Sequence, residues 1–242
     1  MSNQGATYRI MALGPFAPVP EEKSKPDFVQ VDLYSLDEAV AAVAPVLYLP
    51  LSTDICPQGA VTLRFNNIKD FKPARIVKTL SSLGPAQSTD QGAGPAATSG
   101  SNGGAVDDIL SMVDGPGTAS DVPDSRAGDA VLKAIFADNM FSRMESAWRG
   151  VQTFVKQADV KGFEKINLSV SPVSRSNLAH VLAVIEDLPR EQMPNLLMID
   201  LRFDYSQPSI ELLETVVEFA ENMMMPTCVW LGSDFFRIDS WT

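Results

Sequence analysis

The chain predicts an α/β fold of mixed sheets with flanking helices, arranged as two units. Three observations carry this expectation. Strand-length apolar runs recur between amphipathic runs of helix length, as in folds that pack helices on sheets. The second half repeats strand, helix, strand, helix, strand, the order of parallel sheets with helical crossovers. Between the halves lies a stretch whose composition cannot support a core. Residues 84–104, GPAQSTDQGAGPAATSGSNGG, hold six glycines, one charge, no aromatic side chain and no β-branched aliphatic. Such a segment buries too little surface to offset its ordering entropy. As a flexible linker its mean span is about 25 Å. The expected organisation is a unit over 1–83, a linker over 84–104 and a second unit over 105–242, with 114–128 as a further weak point.

In the first unit, FVQVDL (28–33) alternates strictly and reads as a half-buried strand. Ser35 and Glu38 have the spacing of a capping box before LDEAVAAVA, and Pro45 closes that helix. VLYLPL and VTLRF (61–65) read as two further strands. In NIKDFKPARIVKTLSSL, Pro73 suits a first helical position, with Ile76, Val77 and Leu80 on one apolar stripe. The order β-α-β-β-α is short for a roomy cleft.

The second unit holds the clearest helix. Phe141, Met144, Trp148, Val151 and Val155 step by 3, 4, 3 and 4, and Met140, Ala147 and Phe154 widen the stripe. Glu145 and Arg149 stand four apart on another face, a spacing that supports a helix by a few tenths of a kcal/mol. KINLSVS is an alternating strand. A helix capped by Ser174 would turn Leu178, Val181, Leu182 and Ile185 inward. NLLMIDL and TCVWLG read as buried parallel strands, with a helix over 208–223 between them.

Composition narrows the function classes. With 242 residues and 45% hydrophobic content the chain can build a sizeable core. A formal charge of −11 and a pI near 4.5 oppose binding to nucleic acid or anionic membranes, which need a basic face. No stretch approaches the roughly 20 apolar residues of a membrane span, and no basic segment with an apolar run opens the chain as a signal peptide would. Cys56 and Cys228 are expected as separate buried thiols in a cytoplasmic protein.

A catalytic apparatus is hard to assemble from this sequence. His180, the single histidine, falls off the Leu178/Leu182 stripe and is expected at the surface. One histidine and two isolated cysteines make no zinc set. No phosphate-binding glycine loop follows a strand, and DGPG (114–117) reads as a turn. Asp200, Asp204, Asp234 and Asp239 sit where strand ends and caps explain them. No catalytic residue, cofactor or metal is therefore expected. Glu211, Glu214, Glu218 and Glu221 form an acidic stripe on the 208–223 helix, either a solvated face or a surface for a basic partner.

NMFSRMESAWRGVQTFV resembles the E-S-x-W-R-G helix of the large contractile-sheath subunit of bacterial type VI secretion systems, and INLSVS, LLMIDLRFDYS and FFRIDSW continue the likeness. The first unit resembles the small sheath subunit through MALGPFAP, FVQVDLYSLDEAVAAVAPVL and VTLRFNNIKDFKPARIV, the last with an F-x-x-I-x-D-F-x-P segment. In that family the two subunits interlock as a heterodimer, and the dimers stack into a contractile tube. The resemblance thus implies two interlocked units like the outer domains of a sheath heterodimer. It implies that Trp148 and Arg149 serve an interface, the pairing of large buried area with planar hydrogen bonding that suits one; each also has an ordinary reading, as core and as solvated surface. AVDDILSMV (105–113), with Val106, Ile109, Leu110 and Val113 on one side, faintly resembles the helix that the family's disassembly ATPase recognises; an ordinary short helix is the other reading.

The family's tube-forming segments have no counterpart in these residues. The expectation is a non-enzymatic, sheath-like accessory or structural component, with sheath, baseplate or tube proteins as partners and no tubes formed alone. The alternative is a free-standing adaptor or ligand-binding α/β module.

Overall fold

The structure, a computed structural model, describes residues 8–18, 26–31, 35–54, 56, 58–82, 125–158 and 166–239. The linker 84–104, the weak point through residue 124 and the segment 105–113 with Ile109 and Leu110 lie outside these residues.

An α/β fold results. β1 (Tyr8–Gly14), β2 (Val29–Val31), β5 (Ile166–Pro172), β6 (Leu196–Phe203) and β7 (Thr227–Leu231) form one five-stranded sheet in the order β2-β5-β1-β6-β7. β5, β1, β6 and β7 run parallel, and β2 joins antiparallel to β5. A separate antiparallel pair joins β3 (Val46–Pro50) to β4 (Ala60–Arg64). The helices are α1 (Leu36–Val43), α2 (Pro73–Ser82), α3 (Ser125–Ala137), α4 (Asn139–Ala158), α5 (Leu178–Glu186) and α6 (Gln207–Met223).

β1 is the organising element. It pairs along its whole length with β5, from Tyr8↔Ile166 to Gly14↔Pro172, and with β6 from Ile10↔Leu196 to Leu13↔Ile199. Its side chains are buried to both sides. Ile10 joins a core with α1, α3, α4 and the β3–β4 pair, while Met11 and Leu13 join one with α5 and α6. A strand buried on both faces carries no alternation, so YRIMALG lacks the period-two signal and was not anticipated as a strand. The sheet is therefore the middle of three layers, and its middle is lent by the first half of the chain.

Several local expectations are corrected. Ser35 makes no capping hydrogen bond with its side chain. A capping box forms instead at Asn67: its Oδ1 accepts from Lys69 N–H, and Asp70 Oδ2 accepts from Asn67 N–H at 3.1 Å. That box holds a 3-10 turn at Ile68–Phe71 before Pro73 opens α2. Val77 is exposed rather than on the buried stripe of Ile76, because the stripe is narrow. α3, starting inside the expected weak point, was not foreseen; Asp138 ends it, and its Oδ1 accepts from Phe141 N–H at 2.8 Å to start α4.

Helix α5 starts at Leu178, with Asn177 rather than Ser174 before its first turn; Asn177 Oδ1 accepts from Ser174 N–H at 2.7 Å. β7 is an edge strand, not a buried one. Cys228 and Trp230 on it are exposed, so only Cys56 of the two thiols is buried.

Candidate interaction site

The joint between the two halves is built around α4. Trp148 has no exposed surface, and its Nε1–H donates to the carbonyl of Phe16 at 2.9 Å. The Phe16 ring meets the indole edge-to-face with centroids 5.2 Å apart. Two turns back, Phe141 lies 6.1 Å from Phe65 and 6.3 Å from Phe71, which stack on each other at 4.3 Å. The aromatic ends of F-x-x-I-x-D-F-x-P thus meet the helix that bears E-S-x-W-R-G. Such ring pairs contribute about 0.5–1.5 kcal/mol beyond area burial. Phe16 was not singled out from the sequence, since a carbonyl acceptor leaves no trace in residue type.

The expected interface residues separate by depth. Trp148 is spent inside the chain and offers no surface to another. Arg149 is exposed and bonded to its own neighbour, Nη2 to Glu145 Oε1 at 2.6 Å, with Glu145 partly buried. An exposed pair at this spacing contributes about 0.3–0.5 kcal/mol. Glu211, Glu214, Glu218 and Glu221 are all exposed along α6, and among the described residues none has an ion-pair partner; Glu211 accepts a hydrogen bond from Gln207 Nε2 at 3.0 Å. His180 is exposed, as its helix phase predicts.

A second cluster occupies the carboxyl ends of β6 and β7. Arg202 Nη2 reaches Asp234 Oδ1 at 2.8 Å, and Arg175 Nη2 lies 3.4 Å from Asp204 Oδ2 while donating to the carbonyl of Arg202. A Cβ on Gly232 would sit 2.2 Å from Asp234 Oδ1 and 2.6 Å from Arg202 Nε, so a larger residue there would make these side chains shift. Hydrogen bonds from the Ser206 hydroxyl and N–H, aided by Arg175, hold Asp204 below the ordinary carboxylate value. Asp200 moves the other way. Its side chain is exposed, but neighbouring atoms crowd the carboxyl, and this desolvation raises its pKa against the opposing attraction of Arg143. The Arg237 guanidinium stacks 4.0 Å from the Tyr205 ring.

These groups tie strand ends together and assemble no nucleophile with a base. Among the described residues no group of three or more His, Cys, Asp or Glu side chains converges as metal ligands, and no helix is long and apolar enough to cross a membrane. A cavity of about 370 Å³ is lined by Ala17, Val29, Val43, Pro172 and Asn177 among others. A shallow groove of about 510 Å³ lies between Pro73 and α3. Neither pairs titratable groups in a way that suggests chemistry.

No protein-family model, curated protein or solved structure gives a significant match to the chain.

Proposed function

We propose that this chain is a non-enzymatic, sheath-like accessory component of a bacterial type VI contractile secretion apparatus, acting in the cytoplasm through protein–protein contacts. One observation supports the reading above the others. The strand from the small-subunit-like half, β1, lies between β5 and β6 of the large-subunit-like half, so the two halves share one sheet. Two segments that resemble separate sheath subunits are thereby interlocked within one chain, as the subunits of that family interlock in pairs. The Phe16–Trp148 hydrogen bond and the Phe65, Phe71 and Phe141 contact lie in the same joint. In this reading Trp148 holds the pair together, and contacts with the apparatus use the exposed surface, including the α6 carboxylates. Sheath, baseplate or tube proteins are the partners, and the disassembly ATPase is a further one through Ile109 and Leu110.

The test is affinity purification of the tagged full chain from a host with an intact apparatus, followed by mass spectrometry. Enrichment of sheath, baseplate or tube subunits over an untagged control is expected. Their absence, with the protein expressed and folded, would overturn the proposal.

A further inference from the structure

The described strands expose four sheet edges, and three of them are guarded. β2 is only three residues long. β3 ends in Pro50, and β4 ends in Arg64. Short length, proline and charge are the devices that keep edge strands from pairing with other chains. β7 has none of them within the strand itself, although Pro226 stands just before it. Its five residues, Thr227-Cys228-Val229-Trp230-Leu231, carry no charge and no proline, and the sheet order leaves its outer side without a neighbouring strand. Trp230 is 51% exposed on this strand, Met224 is 90% exposed just before it, and Phe236 and Ile238 are 50% and 41% exposed just after it.

We propose that β7 pairs antiparallel with β7 of a second copy across a two-fold axis, giving a closed dimer with a continuous ten-stranded sheet (five strands from each copy). This inference stands apart from the sheath reading. The strand is self-complementary about Val229: Cys228 of one copy faces Trp230 of the other, both from the exposed face of the sheet. The same two-fold sets the Met224 end of one edge against the Phe236 end of the other. Charge also selects this surface. Each copy carries −11, so like copies repel over most of their area, while this edge is uncharged and the arginines beside it, Arg202 and Arg237, offset Asp234 and Asp239.

The exposed fractions of the four apolar side chains correspond to roughly 500 Å² per copy, taking about 200–250 Å² for a large side chain. The pair would then bury at most on the order of 1,000 Å², at the low end for a specific interface, so the dimer is a weak one. An isologous contact uses up both edges, so assembly stops at two.

Sedimentation velocity of the full chain from about 1 µM to 1 mM tests this. A monomer–dimer equilibrium is expected, tightening as salt rises because salt screens the repulsion between acidic copies. Trp230→Lys and Met224→Lys, at exposed positions and checked for folding by circular dichroism, should each raise the dimer Kd at least tenfold. A monomer throughout would overturn the pairing and leave the edge to a strand of another protein. A dimer untouched by either substitution, or growth beyond the dimer into polymers, would overturn it as well.

Discussion

Replacing Trp148 by Phe tests the joint between the halves most directly. The substitution keeps a ring in the site but removes the Nε1–H that satisfies the Phe16 carbonyl at 2.9 Å. Two losses add. Shrinking indole to phenyl removes on the order of 40 Å³, which at about 24 cal/mol per Å³ costs about 1 kcal/mol. Leaving a buried carbonyl without its donor costs about 1–3 kcal/mol more. The expected destabilisation is therefore about 2–4 kcal/mol, a fall in Tm of roughly 10 °C for a chain of this size. Urea unfolding followed by far-ultraviolet circular dichroism is the assay, since it does not depend on the fluorophore removed. Tyr48→Phe, at an exposed position on β3, is the control and should stay within about 0.5 kcal/mol. A double-mutant cycle with Phe16→Leu should return a coupling of about 0.5–1.5 kcal/mol for the ring pair. A loss below about 0.5 kcal/mol in Trp148→Phe, with no coupling to Phe16, would refute the assignment of this contact as the joint.

Three further outcomes are expected. Proteolysis within 84–104 should leave fragments 1–83 and 105–242 co-eluting on a sizing column, because β1 fills the gap between β5 and β6; the linker only raises effective concentration to about the millimolar range, and fragments that migrate separately while folded would contradict this. Changing Glu211, Glu214, Glu218 and Glu221 together to Gln should weaken binding to a basic partner at low salt and flatten its salt dependence, measured by titration calorimetry; unchanged binding would return the stripe to a plain solvated face.

The pH responses of Asp200 and Asp204 should have opposite signs. The lowered pKa of Asp204 gives stability that is present above its ordinary value of 3.8 and lost as pH falls through the lowered value, so Asp204→Asn should be less stable than the parent at pH 7. The raised pKa of Asp200 imposes a penalty that is absent below 3.8 and complete once pH has risen through the raised value, so Asp200→Asn should be more stable at pH 7. In urea titrations the Asp200 difference should vanish below pH 3.8 and the Asp204 difference only as pH falls through its lowered value, and parallel curves for the two variants would refute the assignments.

By itself the sequence determined the elements that signal locally. The stripe of Phe141, Met144, Trp148, Val151 and Val155 is buried as its spacing requires, since a helix buries whatever recurs on one face. The α/β character, the position of Pro73 at the start of α2 and the exposure of His180 were equally legible. Three matters were decided only by the tertiary structure. The role of β1 depends on two partners about 160 and 190 residues away in the chain, and no local pattern encodes such pairing. TCVWLG is apolar enough for a central strand, yet it became an edge because sheet order, not composition, settles which strands are flanked. Trp148 could have faced a partner or its own core from spacing alone. Its burial was settled when Phe16, two residues past β1, brought a carbonyl within hydrogen-bonding distance of the indole.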